Sequence, residues 1–180
     1  MNLYIRETKS SDLHDIYRVH CEAFGYDKEA ELARDLLNDS SAQPRLSLIA
    51  FHGEQVVGHI LFTKAKLWDS DPHLSLSLLA PLAVVPDAQR QGVGGELIKA
   101  GLEYLAEAGT DLVFVLGHPE YYPKHGFKTA AHYGLKAPYP IPEKHVDAWM
   151  VKALNPKVLG EVCGTVICCD ALNKEEHWSE

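Results

Sequence analysis

The sequence predicts an α/β domain whose central sheet is mixed, mostly antiparallel and flanked by helices. Two β-rich runs, residues 46–51 and 56–62, are separated by His52-Gly53-Glu54, which is antiparallel hairpin chemistry with a glycine in the turn. An apolar run over residues 78–85 precedes a helix-period pattern and then Leu112-Val113-Phe114-Val115-Leu116. That order is a strand–helix–strand unit, whose strands are expected to lie parallel through a right-handed crossover. Two further helical patterns stand between a short first strand and the hairpin.

Leu3, Ile5 and Glu7 alternate with Tyr4 and Arg6 as the first strand, and Thr8-Lys9-Ser10-Ser11-Asp12 supplies a polar helix start. The first helix turns Leu13, Ile16, Tyr17, His20 and Phe24 inward and ends at Gly25. A second, over about residues 28–38, has a looser apolar side of Ala30, Leu32, Ala33, Leu36 and Leu37, and Gln43-Pro44 breaks the chain after it. Residues 63–68 extend the second hairpin strand as far as the loop Asp69-Ser70-Asp71-Pro72. Leu74-Ser75-Leu76-Ser77-Leu78 alternates, and the run is continuously apolar only from Leu78, so this strand is expected to pass from edge-like to buried.

The following helix faces Val93, Leu97, Ile98, Leu102 and Leu105 inward, and Ala108-Gly109-Thr110-Asp111 closes it. After strand 112–116, residues 117–127 are too short and proline-rich for a long helix and read as a single helical turn or irregular loop. A strand from Phe127, a proline-rich connector over 133–142, a strand over 145–154 and a short strand at Val166-Ile167-Cys168-Cys169 complete the chain.

One hydrophobic core suffices for 180 residues, so residues 1–180 are expected to form a single domain, with a core of about 3–154 and a C-terminal extension of 155–180. A formal charge of −8 argues against non-specific binding to nucleic acid or anionic membrane and favours a cationic or neutral substrate. The first twelve residues lack the apolar core of a signal peptide and no run approaches membrane-spanning length, so a cytoplasmic protein is expected. Cys21, Cys163, Cys168 and Cys169 lack C-x-x-C spacing, which predicts neither a metal site nor a disulfide framework.

The turn Gln89-Arg90-Gln91-Gly92-Val93-Gly94-Gly95 crowds glycine where a helix must begin. Glycine lets a backbone approach a ligand closely, and a helix N-terminus adds free N–H groups and about half a positive charge, so an anion, most plausibly phosphate, is expected there. A P-loop would need Gly-Lys-Ser/Thr, which Gly94-Gly95-Glu96 does not provide, and a dinucleotide fingerprint would need glycine where Leu97 stands.

Gln89-x-x-Gly92-x-Gly94 after an apolar strand, with Tyr121-Tyr122-Pro123-Lys124-His125-Gly126-Phe127 beyond the next strand, resembles the GNAT superfamily of N-acetyltransferases. The order of elements over about residues 3–154 is similar to that family too, so the resemblance implies a GNAT-like fold. It implies acetyl-CoA as co-substrate and no metal, with the pyrophosphate on Gln91, Gly92, Val93, Gly94 and Gly95 and contacts from Gln89 and Arg90. The pantetheine arm would run along the free backbone edge of Ala83, Val84 and Val85. Tyr122 would be the catalytic acid that protonates the departing thiolate, and Tyr121 a core aromatic. No glutamate stands on residues 74–85, where the family often carries a base; water, His118, Glu120 or Asp147 could serve.

The implied reaction is direct transfer of acetyl to a primary amine in a ternary complex, with no covalent cysteine. The rival from another class is a non-catalytic acyl-CoA-binding module, which needs the glycine turn but not Tyr122. Expected partners are a small-molecule or peptide amine and, as an open alternative, a second copy in a homodimer, with no nucleic acid and no membrane. The acceptor pocket is expected between the first two helices, the hairpin and the 133–142 connector.

Overall fold

The computed structural model describes residues 2–179. Its strands form one sheet in the order β1 (Tyr4–Glu7), β2 (Leu46–His52), β3 (Gln55–Leu67), β4 (Leu76–Val84), β5 (Leu112–Leu116), β8 (Trp149–Ala153) and β6 (Lys128–Thr129). Only β4 and β5 pair in parallel along this path. Three α-helices flank it: α1 (Leu13–Phe24), α2 (Lys28–Leu37) and α3 (Val93–Glu107).

The faces of β3 assign the helices to sides. A Cβ added to Gly58 would meet the Leu97 side chain of α3 at 2.9 Å, and Gly101 of α3 leaves room for the Phe62 ring. Even-numbered residues of this part of β3 therefore face α3. Odd-numbered ones face the other helices: His59 bonds His20 of α1, and Leu61 shares a buried cluster with Leu36 of α2. The hairpin forms as expected, with Gly53 at φ 63 in its turn.

At the start of α1, the Asp12 carboxylate accepts two Arg6 N–H groups at 2.7 and 3.0 Å and the Lys9 backbone N–H at 2.7 Å, tying the helix entry to β1. The Arg6 hydrogen bonds are the main reason that its pKa lies below the usual carboxylate value. Gly25 closes the helix at φ 77. The inward face is rotated from the expected one: Leu13 and Phe24 are exposed, while Val19 is fully buried. Leu13 and Phe24 lie at the two ends of α1, where the chain enters and leaves, so periodicity alone overstates their burial.

The burial of β4 runs opposite to expectation. Leu76, Ser77, Leu78 and Leu79 lie between β3 and β5 and are all buried; the Ser77 hydroxyl donates to the Thr63 carbonyl at 3.2 Å. Beyond Leu79 the pairing with β5 stops while that with β3 continues to Val84. Ala80 and Pro81 stand opposite the single residue Leu61, a bulge at the point of departure. A proline has no N–H to offer a neighbouring strand. The alternating Leu-Ser pattern thus marks the covered end, because two neighbouring strands and a satisfied hydroxyl remove the wet face that alternation implies.

Past β5 the chain is less regular than expected. The strand from Phe127 shrinks to β6, and the proline-rich connector contains β7 (Leu135–Lys136). The strand expected over 145–154 begins only at Trp149, because Glu143–Ala148 turns as a 3-10 segment with the His145 N–H bonded to the Pro142 carbonyl at 2.8 Å. In the extension, β9 (Gly164–Ile167) pairs with the end of β3 and with β7. It is then fastened to the body: the Ala171 N–H donates to Asp39 and the Asp170 N–H to the Ser41 hydroxyl, both at 2.9 Å. Trp178 packs edge-on against Trp149 at 5.6 Å and donates its indole N–H to the Leu172 carbonyl.

Candidate active site

Where β4 leaves β5, a cleft of about 960 Å³ opens between Leu82 and Val84 on one wall and residues 118–125 on the other, with the glycine turn at its end. The backbone of β4 is divided between β3 and this cleft. The Val85 N–H donates to the Val57 carbonyl and its own carbonyl accepts from Ala88, both at 2.9 Å. Residues of an antiparallel strand address alternate sides. Ala83 therefore turns its backbone groups toward β3 with Val85, and Leu82 and Val84 turn theirs into the cleft. The Val84 carbonyl holds the Gln89 side-chain amide at 2.8 Å. Of Ala83, Val84 and Val85, then, Val84 presents backbone to the cleft, and Leu82, one alternation step upstream, was missed.

The glycine turn lies where the strand–helix–strand pattern placed it. Gly92 precedes α3 at φ 87, and Arg90 adopts φ 62, so the turn bends through two left-handed residues before the helix starts. Gln89, Arg90, Gly92, Val93, Gly94 and Gly95 all line the cleft. Val93 does so from a side chain that is fully buried under α3, so its contribution is backbone. Gln91 points elsewhere, its amide bonding the Asp87 carbonyl at 3.0 Å. The N–H groups of the first α3 turn are the free donors of a helix N-terminus, and Gly94 and Gly95 leave no side chain over them.

Facing this turn, Tyr122–His125 forms a short 3-10 segment capped by Gly126 at φ 91. Tyr122 is 8% exposed, its ring packed edge-on to Tyr121 at 5.1 Å and to Phe127 at 5.7 Å and lying flush against Gly117. Burial pushes its hydroxyl pKa well above the ordinary tyrosine value, with the neighbouring Tyr121 adding to the effect. The hydroxyl is therefore protonated across the physiological range. Tyr121 is not the core residue expected. It is half-buried, lines the cleft, and reaches the glycine turn so closely that a Cβ on Gly94 would stand 2.6 Å from its hydroxyl oxygen. The aromatic pair divides because the 3-10 turn sends successive side chains in different directions.

His118 and Glu120 are exposed at the cleft wall, whereas Asp147 lies off it, accepting from the Thr129 hydroxyl at 3.3 Å. A second cleft of about 810 Å³ opens beside Val85 and Pro86, between α1 and the hairpin turn. Asp15, Glu22, Glu54 and Asp87 line it, and the lone arginine there, Arg18, is engaged by Glu22 at 3.2 Å and Asp15 at 3.7 Å. Of the elements expected around an acceptor, it draws on the first helix and the hairpin, but neither α2 nor the 133–142 connector takes part, the connector being packed on the extension. The four cysteines are free thiols, and none lines either cleft.

Comparison with known proteins agrees with this geometry. A family model described as an acetyltransferase (GNAT) domain matches residues 4–130. YjhQ of Escherichia coli strain K12, described as an uncharacterized N-acetyltransferase, is 47% identical over 164 residues, covering 91% of this chain and 90% of its own. The crystal structure of the GNAT family N-acetyltransferase YhbS from Escherichia coli, in complex with CoA, superposes with a TM-score of 0.87 at 31% identity, over 97% of this chain and 93% of that one. A GNAT family acetyltransferase from Brucella melitensis, in complex with acetyl-CoA, gives a TM-score of 0.75 at 27% identity, over 95% and 98% of the two chains. The open edge of β4, the glycine turn at its end and the tyrosine opposite thus sit in a chain that belongs to the GNAT acetyltransferase family.

Proposed function

We propose that the protein moves an acetyl group from acetyl-CoA to a primary amine by direct transfer in a ternary complex. The observation that supports this most is the departure of β4 from β5 at Ala80 and Pro81, with anion-binding amides at one end of the gap and a buried, protonated tyrosine along its wall. The fit to an extended anionic thioester is chemical. The amides of Gly92 to Gly95 suit a pyrophosphate, and the cleft-facing N–H groups of Leu82 and Val84 suit the amides of pantetheine and the thioester carbonyl. YhbS and the Brucella protein, crystallised with CoA and acetyl-CoA, support the same assignment.

Acetyl-CoA supplies an activated acetyl group. The chain holds its carbonyl against fixed strand donors, which favours charge developing on that oxygen, and keeps it within reach of the amine. As the amine nitrogen bonds to the carbonyl carbon, the carbon–sulfur bond breaks and Tyr122 gives the leaving sulfur its proton. The proton shed by the amine leaves through water or through His118 or Glu120 at the cleft wall, and one proton from solvent returns to Tyr122. The chain's net charge of −8 and the acidic second cleft favour a neutral or cationic acceptor over an anionic one. We place the enzyme in the cytoplasm; among the described residues no helix is long and apolar enough to cross a membrane.

The test is to incubate the protein with acetyl-CoA and a panel of amines, amino-sugars and peptides while free thiol is followed. Thiol release that depends on an amine and falls in Tyr122→Phe supports the reading. Tight acetyl-CoA binding with no release for any acceptor would replace it with a binding module.

A further inference from the structure

A groove of about 760 Å³ runs along the outer side of α3, and its lining includes Gly92, Gly95, Lys124 and His125, four residues that also line the main cleft. The two depressions therefore meet around the glycine turn. Beyond that shared stretch the groove acquires Lys99 from α3 and Lys152 from β8.

Lys152 is an unusual residue for its position. It stands within β8 between buried Val151 and half-buried Ala153, paired in register with Val113, and is itself partly buried. Its stem and ammonium lie against Gly126, whose left-handed backbone and missing side chain leave the space: a Cβ there would stand 3.4 Å from Lys152 Cε and closer still to its Nζ. Among the described residues, the side chains of Lys99, Lys124 and Lys152 make no hydrogen bond and no ion pair. Glu96 and Glu103 share the groove, yet neither comes within ion-pair distance of them. Three unpartnered lysines line one groove of a chain that has 25 acidic residues to 17 basic ones. An ammonium with no counter-charge gains charge-assisted hydrogen bonds from any anion that reaches it.

Coenzyme A carries two anionic centres, its pyrophosphate and the monoester on the 3′ oxygen of the same ribose. With the pyrophosphate on the glycine turn, the monoester lies one ribose away, and the groove begins at that turn. We propose that Lys152, with Lys124 and Lys99 beside it, receives the 3′-phosphate of coenzyme A and makes the enzyme select CoA thioesters over their 3′-dephospho forms. The inference rests on reading the main cleft as the acetyl-CoA site. A phosphate monoester carries nearly two charges at neutral pH and accepts several charge-assisted hydrogen bonds, which lysines provide as point charges.

Calorimetric titration of the parent, Lys152→Met and Lys152→Arg with acetyl-CoA and with acetyl-3′-dephospho-CoA tests it. The parent should bind acetyl-CoA at least about tenfold more tightly than the dephospho form, the scale of one hydrogen bond to a charged group. Lys152→Met should weaken acetyl-CoA binding by a similar factor, leave the dephospho form unchanged and so erase the preference, while Lys152→Arg should keep it. Equal, measurable affinity of the parent for both ligands, or equal weakening of both in Lys152→Met, would overturn the 3′-phosphate assignment alone. Failure of the parent to bind either ligand would overturn the reading of the cleft and this inference with it.

Discussion

From Leu76 to Leu79, β4 is hydrogen-bonded to β3 on one side and to β5 on the other; from Ala80 to Val84 it has β3 alone. Both halves are largely apolar in sequence, and both run as one continuous strand. The first half spends its backbone and side chains on the core, facing Phe114 and the β8 tryptophan stacked on it at 5.2 Å. The second half keeps Pro81 and Ala83 buried, leaves Leu82 and Val84 half-buried against the core, and turns the backbone of those two to a cleft. A strand can thus serve stability with its side chains and ligand binding with its main chain, and a bulge of one residue is enough to separate the two roles.

Substitutions should divide along that line. The largest effect is expected at Phe114, fully buried beside the paired half: Phe114→Ala should cost about 3–5 kcal/mol by chemical denaturation. Its affinity for acetyl-CoA should be unchanged under conditions where it is folded; a matching loss of affinity would mean that the halves are not separate. Tyr122→Phe should do the reverse, lowering turnover by about 10²-fold while leaving the midpoint of unfolding within about 0.5 kcal/mol of the parent. An undiminished rate would move the proton donor elsewhere, with Tyr121 the first residue to try next.

A third effect concerns the core behind the open half. His59, in register with Ala83, bonds His20 at 2.9 Å and Ser47 at 2.8 Å, and both rings are fully buried. Desolvation lowers the pKa of His20 to about 4 and that of His59 well below its ordinary value. The folded state keeps both neutral while the unfolded chain takes up protons near 6.5, so stability is full above that pH and declines as pH falls. His20 should cost about 2 kcal/mol between pH 6.5 and 5, read from denaturant midpoints, His59 should act in the same direction, and His59→Gln should flatten the slope. A smaller effect is expected from Gly94→Asp, which sets a carboxylate among the turn amides: acetyl-CoA binding should weaken by about tenfold, with little loss of stability, because only the tip of Tyr121 must move. Unchanged affinity would detach the cofactor from the glycine turn.

Much of this could be read from residues alone, and the reasons differ by element. The hairpin, α3 and β5 are dictated by local patterns strong enough to survive packing: a glycine two-residue turn, five apolar residues at helical spacing, an unbroken apolar run. The glycine turn was legible as an anion site because it joins a buried strand to a helix start. Burial along β4 was misread because alternation reports a wet face only when the strand lies at an edge. β7, and the late start of β8, could not be read, since two-residue pairings and 3-10 turns are decided by what the extension packs against.

By itself, then, the sequence determined the hairpin, the strand–helix–strand unit, where the backbone must turn through glycine and which family motif follows, since all of these depend on neighbours within a few positions. Tertiary structure alone decided that Val84 and Leu82, and not Ala83 or Val85, give their backbone to the cleft. It also decided that Tyr121 leans to the glycine turn while Tyr122 is buried, and that Lys152 lines one groove with Lys99 and Lys124. These facts depend on which strand stops pairing and where a bulge falls. Residues as far apart in sequence as Gly94 and Tyr121 meet only after β4 and β5 have been laid side by side.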